Sequence, residues 1–268
     1  MAENILTAKN VVKRFGEITA VDGISFSVKK GEIFAFLGPN GAGKSTTIKM
    51  LTTMLRPTSG KLLLAGHDVA NEQDKARKAF GIVFQDPSLD EELSAYENME
   101  LHAVLYRIPK AERHNRIKEL LELVDLWDRQ ASMVKTFSGG MRRRLEIARG
   151  LVHEPEVLFL DEPTLGLDTQ TRNLMWQYVK KLSEEKGMTI FFTTHYLDEA
   201  EEVAEKIAII DNGKIVASGT TPELCKETNT KTLEEAYLKL TGTGIRDESG
   251  AGNDGLNFKM ALRNKRLR

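Results

Sequence analysis

Four stretches of this 268-residue chain combine residue types that handle phosphate, metal or protons. The first is Gly38-Pro39-Asn40-Gly41-Ala42-Gly43-Lys44-Ser45-Thr46, a glycine-rich phosphate loop. Glycines let the backbone wrap closely enough to aim several N–H groups at one dense anion. Lys44 can reach the β- and γ-phosphates, and the Ser45 hydroxyl can take a place on Mg²⁺. A nucleoside triphosphate with Mg²⁺ is the expected ligand; the bland reading is a glycine-rich turn. The second stretch is Asp161-Glu162, directly after the apolar run Val157-Leu158-Phe159-Leu160. Acid at the end of such a strand suits Mg²⁺ control by Asp161, directly or through water. Adjacent strand residues point to opposite faces, so Glu162 is expected to do a different task, orienting and deprotonating an attacking water. The third, Ser138-Gly139-Gly140, opens a helical stretch. Two glycines in a first turn cost up to about 1 kcal/mol each relative to alanine, which makes sense if something must approach the backbone. With its bare N–H groups and a hydroxyl, this helix start reads as a second anion site, while Ser138 alone reads as an N-cap. The fourth is His195, at the end of a strand, where α/β sheets bind ligands. The other histidines, His67, His102, His114 and His153, read as ordinary surface or core residues.

The elements that must position these groups follow from patterning. Ile33 to Leu37 is apolar throughout, as in a buried parallel strand, and Ser45 to Leu55 reads as a helix whose dipole adds to the anion site. Ile5 to Val28 suggests two or three short strands around a turn at Phe15-Gly16-Glu17. Lys61 to Ala65 and Phe80 to Phe84 read as further strands, the second ending at Gln85. From 86 to 155 the character is helical. Ser94-Ala95-Tyr96-Glu97 has capping-box spacing, Pro109 can start a second helix with a stripe of Ile117, Leu120, Leu121 and Val124, and a third begins at Ser138. Beyond come a helix near Gln170 to Lys186, a strand at Thr189 to Thr193, a helix from Tyr196 to Glu205 and a strand at Ile207 to Ile210. The expectation is an α/β fold: a P-loop NTPase core with a mostly parallel sheet, an N-terminal antiparallel β subdomain and an inserted helical subdomain. The ATP-binding domain is expected over 1–240. Residues 241–268 read as a flexible linker and a basic tail carrying Lys259, Arg263, Lys265, Arg266 and Arg268.

A chain that is 41% hydrophobic and 29% charged, with net charge −1, gives no argument for a nucleic-acid surface. Cys225 is the only cysteine, which excludes an internal disulfide or a cysteine-rich zinc module and suits a reducing cytoplasm. No apolar run approaches the roughly 18 residues that span a bilayer, so any membrane role is expected to come through a partner.

The order Gly38 to Thr46, Gln85, Ser138-Gly139-Gly140, Asp161-Glu162, Asp168, His195 resembles the nucleotide-binding subunit of ABC transporters, over about Ile5 to Leu240. The resemblance implies that ATP is the nucleotide and that Phe15 stacks on its adenine. It implies that Gln85 senses Mg²⁺ and the attacking water while linking to the membrane partner, and that His195 contacts the γ-phosphate. Asp168 would lie in a loop that crosses a dimer interface; a bare helix N-cap would look the same. Ser138 and Gly140 would act in trans, in a head-to-tail dimer with a second ATP-binding subunit, and because Glu162 is present a homodimer would be competent at both sites. Two departures stand out: Phe137 and Met141 replace the leucine and glutamine that usually flank the signature. With Arg142-Arg143-Arg144, they resemble the drug-resistance and multidrug-export subunits whose permease is a separate polypeptide. The segment Arg129 to Thr136 also lacks the glutamate-glycine loop of exporters with a fused membrane domain.

The expected function is therefore an ATPase that energises a transporter, at the cytoplasmic face of the membrane, held there by its permease. A second reading, a soluble ATPase of the same family in DNA maintenance or translation, requires long coiled coils, zinc modules or a duplicated core. The fifty or so residues from Gln85 to Ser138 leave room for only a few ordinary helices. A phosphoryl-transferring kinase would use the phosphate loop but has no need of Ser138-Gly139-Gly140 or Glu162.

Overall fold

The computed structural model describes residues 3–242. Its centre is β3 (Ile33–Leu37), buried at all five positions. A strand apolar on both faces must be covered on both, and the alternation of its side chains decides what covers each. Phe34 and Phe36 face one hydrophobic core, and Ile33, Ala35 and Leu37 face another. The neighbouring strands repeat this division. Phe159, Phe191, Ala208 and Ile210 join the first core, whereas Leu158, Leu160, Ile190, Phe192, Ile207 and Ile209 join the second.

Two long strands, β1 (Asn4–Phe15) and β2 (Ile18–Lys29), pair antiparallel across the turn at Gly16-Glu17. The sequence suggests two or three short strands here; register shifts bend the two long ones without ending them. With β4 (Ser59–Leu64) and the short β5 (His67–Asp68) they form a four-stranded sheet ordered β2-β1-β4-β5. Helix α1 (Lys44–Leu51) follows β3 and stops four residues short of the expected end at Leu55. Thr53 turns left-handed, with φ of 62°, and the N–H groups of Met54 and Leu55 both close onto the Lys49 carbonyl. Pro57 disfavours helical backbone in the residue before it.

The six-stranded sheet has the order β10-β9-β3-β8-β7-β6, with β6 (Phe80–Val83), β7 (Val157–Asp161), β8 (Thr189–Thr194) and β9 (Lys206–Asp211) parallel to β3. Only β10 (Lys214–Gly219) runs antiparallel. It is an unforeseen strand, joined to β9 through Asn212-Gly213, both at positive φ as a tight hairpin requires. The polar helix α2 (Gln73–Lys78), which buries only Ala76, leaves no periodic trace in the sequence.

Between β6 and β7 lie α3 (Ala95–Leu105), α4 (Lys110–Leu123) and α5 (Gly139–Gly150). The capping box at Ser94 forms: Glu97 N donates to its hydroxyl, and Ser94 N donates to the Glu97 carboxylate at 2.7 Å. Ile117, Leu120, Leu121 and Val124 are buried together. Helices α6 (Thr169–Lys186) and α7 (Leu197–Val203) flank β8 in sequence. Two unforeseen helices, α8 (Thr221–Thr228) and α9 (Leu233–Thr241), follow β10. The last of these includes Thr241, where the sequence suggests a linker, and the basic tail from Lys259 to Arg268 lies outside the described residues. Among the described residues, no helix is long and apolar enough to cross a membrane.

Phe191 makes ring contacts with Phe26, Phe34, Phe36 and Phe159, joining the two sheets at the first core. Phe191→Ala is expected to cost about 3–5 kcal/mol, seen as a lower urea midpoint at unchanged slope. Ile18→Ala, at a side chain 66% exposed, should stay within about 0.5 kcal/mol of the parent.

Candidate functional site

Parallel pairing brings the C-terminal ends of β3, β8 and β7 to one edge of the sheet, with Leu37 beside Thr194 and Asp161 beside Thr193. The chain leaves β3 into the loop 38–46, where Gly38 N donates to the Thr194 carbonyl at 3.2 Å. Gly43 caps α1 at φ of 102°, and a Cβ there would come within 2.6 Å of the Ala20 carbonyl of β2. Backbone conformation and close approach both demand glycine at this position. The turn aims Lys44 inward, leaving its side chain 5% exposed. Its ammonium donates to the Gly38 carbonyl at 2.7 Å and to the Pro39 carbonyl at 3.1 Å, and pairs with Glu162 Oε1 at 3.0 Å. Three N–H donors thus meet three acceptors.

Asp161 ends β7. One carboxylate oxygen accepts from Thr193 Oγ1 at 2.6 Å and from Ser45 Oγ at 3.3 Å. Burial pushes this carboxyl above the ordinary carboxylate range, and Glu162 adds to the shift; the bonds from Thr193 and Ser45 and the nearby Lys49 oppose it. A buried carboxylate and a hydroxyl oxygen suit Mg²⁺, which takes one or two carboxylates and fills its shell with water and phosphate. Among the described residues no group of three or more His, Cys, Asp or Glu could form an all-protein metal cage.

Glu162 has left-handed backbone at φ of 48°, uncommon for a residue with a side chain. Its N–H donates to Thr193 Oγ1 and approaches the Thr193 carbonyl, at 3.0 and 3.2 Å, which fixes the turn. Its two carboxylate oxygens divide, one on Lys44 and the other 2.5 Å from His195 Nδ1. The carboxylates of Asp161 and Glu162 therefore face different partners, and the sharp turn at Glu162 contributes to this beyond strand alternation. His195 follows β8 and leans on the Tyr196 ring, with centroids 4.1 Å apart.

The remaining candidates sit apart from this cluster. Phe15 ends β1 with its ring 45% exposed and the Lys13 ammonium 5.0 Å from the ring centre, so it is not a core phenylalanine. Gln85, just past β6, presents its side chain to the surface. Ser138 caps α5, accepting from Met141 N at 3.3 Å, and Gly139 is exposed beside it. Among the described residues no hydrogen bond or ion pair joins Ser138, Gly139 or Gly140 to the loop 38–46. A Cβ on Gly140 would lie 2.3 Å from Thr171 Cγ2, so the close approach that this glycine permits is made by α6 of the same chain. Asp168 caps α6, accepting from Thr171 N at 3.0 Å and Thr171 Oγ1 at 2.7 Å, and these bonds hold its carboxyl below the ordinary range. Gln85, Gly139, Leu165 and Gly166 line one cavity of about 350 Å³. Thr193, which orders both Asp161 and Glu162, is absent from the sequence-based set. Its signal is a pair of threonines following the apolar residues 190–192 of a fully buried strand.

A phosphate loop between a buried strand and a helix, with a buried acid at the tip of the strand two places away, is the arrangement of P-loop nucleoside triphosphatases. Comparison with known proteins makes this specific. Residues 21–165 match the family model described as ABC transporter, and the chain belongs to that family, as an ATP-binding and ATP-hydrolysing subunit. It is 43% identical over 243 residues to the linearmycin resistance ATP-binding protein of Bacillus subtilis (strain 168), covering 91% of this chain and 76% of that one. It is likewise 43% identical over 220 residues to the Nod factor export ATP-binding protein I of Ralstonia nicotianae, covering 82% and 68%. Among solved structures, it superposes with a TM-score of 0.72 at 32% identity on a dimeric ATP-binding cassette in a post-hydrolysis state with ADP and Pi, covering 80% and 98%.

The displaced Asp161 carboxyl sets a pH dependence. Between the unfolded pKa of about 3.9 and the raised folded value, the folded chain keeps a proton that the unfolded chain has lost. Without Mg²⁺, its contribution to stability falls as pH rises through that window. Asp161→Asn, which keeps the acceptor for Thr193 and Ser45, should remove that part of the slope in urea denaturation from about pH 4 to 8. An unchanged slope would show that the folded chain holds the Asp161 proton no more tightly than the unfolded chain does.

Proposed function

We propose that this chain hydrolyses ATP to drive export through a separate membrane-embedded permease, working head to tail with a second copy of itself at the cytoplasmic face of the membrane. The observation that carries the reading is the chain of contacts from Lys44 through Glu162 to His195. In this arrangement the base is neutralised by the lysine that must serve the phosphates. When ATP enters, its phosphate oxygens compete for the Lys44 ammonium, and Glu162 loses its counter-ion. The freed Oε1 can then accept the proton of an attacking water while His195 steadies the other oxygen. Oε1 is thus open to a water only when substrate has drawn Lys44 away.

Ser45 and Asp161 are assigned to Mg²⁺, whose contribution when bound is to neutralise charge on the β- and γ-phosphates. Gly38, Pro39, Asn40, Gly41, Ala42, Gly43 and Thr46 complete the loop around the phosphates, and the exposed Phe15 ring is assigned to adenine. Gln85 is assigned to the attacking water and the metal. Ser138 and Gly139, exposed at the start of α5, and the half-buried Gly140 beside them are unlinked to their own phosphate loop and are assigned to the nucleotide of the second copy. Asp168, whose partner Thr171 packs on Gly140, is assigned to the same interface. The names of the relatives, one a resistance protein and one an export protein, support the direction of transport. A soluble ATPase acting on DNA or in translation gains no support from them.

Glu162→Gln should bind ATP with near-parental affinity, hydrolyse it about 10² to 10⁴ times more slowly, and accumulate as an ATP-bound dimer in size-exclusion chromatography. Normal turnover in this variant would remove Glu162 from the role of base. Lys44→Ala, by contrast, should weaken ATP binding itself by about tenfold or more in equilibrium titration, through loss of a charge-assisted contact.

A further inference from the structure

Helix α5 carries Arg143, Glu146 and Arg149 at three-residue spacing, hence on one stripe. All three are buried, Glu146 to 2% exposure. Buried charge is costly unless every one is paired and hydrogen-bonded. Here the partners lie in residues 84–88, a stretch outside any helix or strand. Arg143 donates to the Phe84 carbonyl at 2.5 Å and the Gln85 carbonyl at 3.2 Å, and pairs with Glu146 Oε2 at 3.0 Å. The other Glu146 oxygen accepts from Ser88 N at 2.8 Å and from Ser88 Oγ at 3.3 Å. Arg149 donates to the Ser88 carbonyl at 2.5 Å and to the Ser88 hydroxyl. Side chains of α5 thus supply hydrogen bonds that a strand would have taken from its neighbours. The grip falls on the main chain of Gln85, leaving its side chain presented.

We propose that Arg143, Glu146 and Arg149 are positioning residues for Gln85, and that α5 transmits the seating of Ser138–Gly140 to it. The inference rests on the reading of Gln85 and Ser138 given above. One rigid helix of twelve residues, about 18 Å long, has the signature at its start and the grip along its body. A shift of α5 when the nucleotide of a second copy docks at Ser138 must move the Phe84, Gln85 and Ser88 backbone with it. The fork of Arg143, which meets two carbonyls and a carboxylate at once, is the member that lysine cannot replace.

The test uses the full chain with Arg143→Lys, Arg143→Ala, Gln85→Ala and the double variants. Arg143→Lys keeps a charge beside Glu146 and is the variant to read should Arg143→Ala fail to fold. Arg143→Lys should lower kcat for ATP by about tenfold with KM within about twofold, and add no further loss in the Gln85→Ala background, since the two changes act through one group. Hydrogen exchange at the Ser88 amide and its neighbours should quicken about tenfold, a readout that needs no turnover. Multiplicative losses in the double variant, or unchanged exchange over 84–88, would overturn the proposal. An inactive parent chain with quickened exchange in Arg143→Lys would instead remove the assigned role of Gln85 and leave the grip standing.

Discussion

The parallel alignment of β3, β8 and β7 is the constraint on which the rest depends. Parallel strands end together, so the groups that follow them, Gly38 from one, His195 from another and Asp161-Glu162 from the third, emerge at one edge although they are far apart in sequence. That alignment is possible because both faces of these strands are apolar, one covered by the antiparallel sheet and α1, the other by helices. Remove either cover and the strands have no reason to be buried, and the edge that holds the site is lost with them.

Charge balance organises what the alignment brings together. Lys44, Asp161 and Glu162 are each buried and each partnered: lysine with glutamate, aspartate with two hydroxyls, glutamate with histidine as well. The same rule governs the stripe on α5, where two arginines and a glutamate are spent on four bonds to a loop backbone and on the Ser88 hydroxyl. In both places removal of one partner would leave a buried charge uncompensated, so the contacts stand or fall together.

Much of the fold was legible because its signals are local. Apolar runs of four or five residues gave β3, β6 and β7; capping-box spacing gave the start of α3; the threonines and apolar residues from 189 gave β8. Two later elements carry local signals of the same kind. Asn212-Gly213 is a strong hairpin mark for β10, and Thr220 with Glu223 three residues later is the same capping box that marks α3. Others were faint: α2 buries a single alanine, and the end of α1 turned on one left-handed threonine.

The sequence by itself determined the chemistry available: a glycine-rich loop with its lysine and serine, an acid pair after a buried strand, a bare helix start, and their order along the chain. These follow from residue type and spacing within a few positions, where backbone preference and hydrogen-bonding capacity act directly. Only the tertiary structure decided their partners. That Glu162 divides between Lys44 and His195, that Thr193 holds both acids, that Gly140 makes room for Thr171 and that Arg143 reaches the Gln85 carbonyl are contacts between distant segments. Such contacts are set by strand register and helix packing, and no local propensity encodes which buried charge will meet which.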